Sequence, residues 1–94
     1  MRLTDLLQLI DDLNLNTQFY LKIDGKTMPW SKLTLAGEQC LLYPGKKALT
    51  KAKIVNLVGK MHSRGIPLIA VVNNQEYPLF GLQIVDDSPK AILL

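Results

Sequence analysis

The residues best able to do chemistry in this chain are cations. Lys46, Lys47, Lys51, Lys53, Lys60 and Arg64 fall in one stretch with no acid among them, and such a block attracts phosphates or acidic protein surfaces. Lys46 and Lys47 also precede a predicted helix start, where the helix dipole and free backbone N–H groups favour anions. Two readings follow: weak anion binding by the helix start with Lys46 and Lys47, or a solvated lysine loop.

Gly45-Lys46-Lys47 looks superficially like the end of a phosphate-binding loop, but the likeness fails. Cys40 stands where that motif has its first glycine, and Lys47 stands where it needs serine or threonine. Other reactive groups are sparse. His62 and Cys40 are single residues of their types, and one histidine with one cysteine makes no metal cluster. Asp11-Asp12 and Asp86-Asp87 are adjacent acids without the alternating oxygen ligands of a calcium loop. With no convergent set of ionisable groups, the sequence points to no enzyme, no cofactor and no metal.

His62 lies late in a predicted helix, where a cation suits the dipole better than a catalytic role. Trp30 and Tyr77 flank predicted hairpins and read as core or cross-strand aromatics. Cys40, beside Leu41 and Leu42, reads as a packed thiol, and a lone cysteine fits a reducing, cytoplasmic setting.

The chain has 94 residues and a formal charge of +3, concentrated in its second half. Residues 1–45 hold four cations and five acids, residues 46–94 seven cations and three acids. The length suits one domain with its own core. No apolar run is long enough to span a bilayer, and the N-terminus enters a polar-punctuated helix pattern rather than a signal peptide's apolar core.

Positioning these residues requires helices and strands in a regular order. Leu6, Leu7, Ile10 and Leu13 share one helical face after Thr4, a predicted N-cap, giving a helix from Asp5 to Leu13. Phe19, Leu21 and Ile23 alternate as a strand, and Asp24-Gly25 suits a tight hairpin. Lys26 to Leu35 returns as an edge or irregular strand because Pro29 lacks a donor. Gln39 to Tyr43 is a short apolar strand ended by Pro44-Gly45. Thr50 caps a second helix from Lys51 to Arg64, stopped by Gly65 and Pro67. Leu68 to Val72 is apolar on both faces, Asn73-Asn74 turns, Tyr77 to Val85 returns, and Ala91 to Leu94 is a last strand.

The two halves follow one pattern. An offset of 49 places Phe19 on Leu68, Asp24-Gly25 on Asn73-Asn74 and Pro29 on Pro78, and an offset of 48 places Leu6 on Ile54 and Ile10 on Val58. The expected fold is therefore α+β, a single domain made of two pseudo-equivalent α-β-β-β units with largely antiparallel sheet and one helix per unit, with an internal duplication of 1–45 as 46–94. Matched helix positions carry opposite charges: Asp5 and Asp12 answer Lys53 and Lys60. These make a complementary interaction face, while Lys46, Lys47, Lys53, Lys60 and Arg64 form an anion-binding or partner-binding set. The function expected is a small non-enzymatic protein-interaction or regulatory module, with a protein partner or self-association and no membrane. The alternative is an accessory nucleic-acid binder using the block from Lys46 to Arg64.

Overall fold

The computed structural model describes residues 1–59, 65–85 and 87–94. Among these residues it is a small α+β fold with two helices, α1 (Leu3–Leu9) and α2 (Lys51–Val58), and seven strands in one mixed sheet. The strands are β1 (Gln18–Ile23), β2 (Lys26–Ala36), β3 (Gln39–Pro44), β4 (Leu68–Val72), β5 (Gln75–Pro78), β6 (Leu82–Val85) and β7 (Lys90–Leu93). Their order across the sheet is β5-β4-β3-β2-β1-β7-β6.

Sequence periodicity located both helices and the start of α2, but misplaced both ends of α1. The N-cap of α1 is Arg2, not Thr4, and the Asp5 carboxylate accepts the Arg2 N–H at 2.9 Å. Ile10 closes the helix, so Asp11, Asp12 and Leu13 lie beyond it. In α2 the Thr50 hydroxyl accepts the Lys53 N–H at 3.3 Å, the expected cap. That helix ends at Val58 with Gly59 as C-cap. The predicted continuation through Lys60, Met61, His62 and Arg64 lies outside the described residues.

The sheet is less uniformly antiparallel than the sequence suggests. Four strand pairs are antiparallel, but β1–β7 and β3–β4 are parallel. The reason is topological: β3 and β7 each lie beside the first strand of the other half, and only a crossover can deliver a parallel neighbour. The predicted strand from Tyr77 to Val85 is two strands, β5 and β6, separated at Leu79 to Gly81. Nor is β2 an edge strand, since it sits mid-sheet. It pairs with β1 up to Pro29 and with β3 from Trp30 onward, with a bulge at Ser31. The proline thus stands where the strand changes partners and needs no donor. Here Gly45 packs so closely that a Cβ would meet Ser31 Cβ at 2.6 Å.

The hairpins β1–β2 and β4–β5 share a register. Tyr20 faces Pro29 in the first, and Ile69 faces Pro78 in the second. Both turn residues have positive φ in each, 51° and 80° at Asp24 and Gly25, 53° and 63° at Asn73 and Asn74, as the two-residue turn matching strand twist requires. The parallel pairs also correspond, Cys40 facing Leu68 and Leu42 facing Ala70 in one, Ala91 facing Phe19 and Leu93 facing Leu21 in the other. All eight are core residues, packed in one cluster with Leu3, Leu6, Ile10, Ile54 and Val58 from the helices. Trp30 is buried there with Phe19 edge-on at 6.1 Å, and Tyr77 packs against the cluster's margin.

Candidate interaction surface

Strand alternation sends side chains to opposite faces, so whatever β3 and β4 do not turn into the core they present on the other side of the sheet. Inward go Cys40 and Leu42, Leu68 and Ala70. Outward go Leu41, Tyr43, Ile69 and Val71, all half-buried and none of them part of the core cluster. Leu41 faces Ile69 directly, and continuing the register by one residue sets Tyr43 beside Val71.

Neighbouring strands extend this face into two rows. Thr34 faces Leu41 and Pro78 faces Ile69, giving Thr34, Leu41, Ile69 and Pro78 across the sheet. Lys32 faces Tyr43 and Glu76 faces Val71, giving Lys32, Tyr43, Val71 and Glu76. The Lys32 ammonium lies 5.7 Å from the Tyr43 ring centroid, which confirms that the two side chains share this face. The centre is apolar, and the second row ends in opposite charges.

The corresponding face of the other parallel pair is different. On β1 and β7 the outward residues are Gln18, Tyr20, Lys22, Lys90 and Ile92, with Gln18 facing Lys90 and Tyr20 facing Ile92. Lys90 covers Tyr20, its ammonium 5.6 Å from the ring centroid. This is the mixture expected of a sheet face that meets water. The same strand arrangement therefore carries an outer face of mixed polarity in one half and a continuous aliphatic and aromatic one in the other. Compared with protein-family models, curated proteins and solved structures, the chain matches none.

The residues singled out from the sequence are only partly assembled. Lys47 and Lys53 line one cavity of about 410 Å³ with Ser31, Leu49 and Thr50, at the start of α2. Lys46 is exposed in the preceding loop. Lys60 and Arg64 lie outside the described residues. Lys51 departs from the basic block altogether: it is buried, and its ammonium donates to the carbonyls of Asp11 at 2.7 Å and Leu13 at 2.8 Å. Asp5 is exposed and spends its carboxylate on the Arg2 N–H, and Asp12 is exposed in the turn after α1. Asp12 therefore lies beyond the helix in which its spacing had placed it.

Cys40 is buried, as its apolar neighbours predicted, and burial pushes its thiol up to about 11. Among the described residues, no group of three or more His, Cys, Asp or Glu is placed to hold a metal ion. No helix among them is long and apolar enough to cross a membrane. A second cavity, about 700 Å³, is lined by Arg2, Glu38, Gln39, Gly65 and Pro67, and the Arg2 guanidinium donates to the Gly65 carbonyl there. Sequence reading did not single out Leu41, Tyr43, Ile69 and Val71. The available signal was that Leu68 to Val72 is apolar on both faces, a pattern that asks what covers the second one.

Proposed function

We propose that the chain is a non-enzymatic protein-interaction module acting in the reducing interior of the cell, and that it binds through the outer face of β3 and β4. The supporting observation is the contrast between two corresponding parallel strand pairs: one sets Gln18, Lys22 and Lys90 around its outward Tyr20–Ile92 pair, and the other carries Leu41, Tyr43, Ile69 and Val71 outward. A fold that tolerates Lys22 at the site matching Val71 has no structural need of an apolar residue there, and contiguous apolar patches mark interaction sites. The matched hairpin registers support an origin by internal duplication of 1–45 as 46–94, after which the two outer faces diverged.

A variant with Leu41→Thr, Ile69→Thr and Val71→Thr tests the assignment, because threonine keeps strand preference while removing apolar surface. Its urea stability should fall by no more than about 1 kcal/mol, the range for substitutions away from a core. Affinity capture from the producing cell should recover a protein with the wild-type chain and lose it with the variant. A variant that retains every captured protein refutes the assignment of this face.

Lys47 and Lys53 around the start of α2 favour a second reading, accessory nucleic-acid binding by phosphate contacts. Lys51 would take no part in it, being occupied internally. Fluorescence anisotropy with a mixed oligonucleotide at low and high salt tests this reading. Binding that falls steeply with salt and weakens with Lys47→Gln and Lys53→Gln supports it; no binding at low salt removes it.

A further inference from the structure

We infer that the partner seated on the β3–β4 outer face is a second copy of this chain, an inference that rests on the reading of that face as a protein-binding surface. The geometry that carries it is the order of side chains across the sheet. From β2 to β5 one row reads Lys32, Tyr43, Val71, Glu76, and the next reads Thr34, Leu41, Ile69, Pro78. A twofold axis lying in the interface along the strand direction, between β3 and β4, turns each row end over end onto its own copy. Lys32 then meets Glu76 of the second molecule, and Glu76 meets its Lys32. Tyr43 meets Val71, and Leu41 meets Ile69.

A surface whose charged ends are opposite and whose centre is apolar is thus complementary to itself, the requirement for an isologous dimer. The axis also keeps the two sets of strands aligned, the common geometry for sheets packed face to face. A row with like charges at both ends would have repelled its copy under the same operation. The strand pair β1–β7 offers no such match, since Lys22 and Lys90 are both cations on its outer face.

The footprint sets the strength. Four strands about 4.8 Å apart and about six residues long at about 3.3 Å each cover roughly 400 Å² per copy. The two copies together bury about 800 Å², below the usual span of stable interfaces, so the dimer is a weak one that forms on raising the concentration.

Sedimentation velocity on the full chain, up to about 1 mM and at low and high salt, reads this directly. The wild-type chain should pass from monomer to dimer, with the transition moving to higher concentration in salt. Lys32→Glu places like charges opposite each other twice per dimer and should raise the dissociation constant about tenfold. Lys32→Glu combined with Glu76→Lys should restore it. Circular dichroism of each variant keeps folding separate from association. A wild-type chain that stays monomeric overturns the second copy as occupant, and if the threonine variant nevertheless loses its captured protein, the face itself still stands. A dimer that the charge reversal and the threonine substitutions both leave unchanged overturns the inference and the assignment of the face together.

Discussion

Lys51 occupies in α2 the place that Leu3 occupies in α1, and both are buried. Their backbones are held alike, the Leu3 N–H donating to the Ile66 carbonyl and the Lys51 N–H to the Thr17 carbonyl, each at 2.9 Å. The side chains differ in purpose. Leu3 joins the core cluster, whereas Lys51 runs its stem inward and delivers its ammonium to the carbonyls that follow α1. Lysine so placed satisfies carbonyls left without helical partners, at the end of a helix where a cation is favourable.

Lys51→Leu should therefore destabilise the fold, although it matches the residue found at the corresponding site. Hydrogen bonds from a charged group contribute about 1.5–3 kcal/mol each, and partial access of water to the freed carbonyls reduces the loss to about 1–2 kcal/mol overall. Urea titration measures it. An unchanged midpoint would mean that the two hydrogen bonds contribute nothing and that Lys51 is free to serve as a surface cation.

Cys40 should resist a thiol reagent at neutral pH in the native protein and react fully in denaturant. Its thiol is buried and is raised from an ordinary 9.0 to about 11 by loss of solvation, so little reactive thiolate is present at neutral pH. Because the folded value is the higher one, the stabilisation is complete below pH 9 and is lost as pH rises from 9 through 11. Cys40→Ala, which copies the corresponding Ala91, should flatten that alkaline decline relative to wild type in urea titrations across the window. Rapid labelling of the native protein would contradict the burial.

The two hairpin turns respond oppositely to glycine. Gly25 has φ of 80°, and Gly25→Ala should cost about 1 kcal/mol or more, since a side chain is strained there. Asn74 has φ of 63° at the matching position, and Asn74→Gly should be neutral or stabilising by a few tenths of a kcal/mol where the relief of strain exceeds the added chain entropy. Thermal unfolding of the two variants compares them. Equal effects of the same sign would show that the turns are not alike.

Phe80 is 79% exposed, and its backbone N–H is held by the Leu94 carbonyl at 2.7 Å. The side chain contributes little to the core, so Phe80→Ser should change stability by no more than about 0.5 kcal/mol. A larger loss in a thermal melt would mean that the ring packs on the protein in solution.

Much of this molecule was legible because its signals are local. Asp24-Gly25 and Asn73-Asn74 announce tight turns through residues that tolerate positive φ, and Leu6 with Ile10 and Ile54 with Val58 mark buried helix faces by their spacing. Cys40 announced its burial through its neighbours. These features depend on a few consecutive residues, and periodicity reads them directly.

What the tertiary structure decided involves residues far apart in the chain. No local pattern in β3 and β7 says that each pairs in parallel with the first strand of the other half, because that choice depends on which crossover the folded core permits. Lys51 reads as part of a basic stretch until the fold brings the carbonyls of Asp11 and Leu13 to its ammonium. Leu41 and Ile69 are simply apolar strand residues in the sequence. Only the pairing of β3 with β4 makes them neighbours on an outer face, and only the order of β2 and β5 around them places Lys32 and Glu76 at its two edges. Side-chain type is a property of the sequence, whereas adjacency between distant strands is set by the collective packing that closes the core.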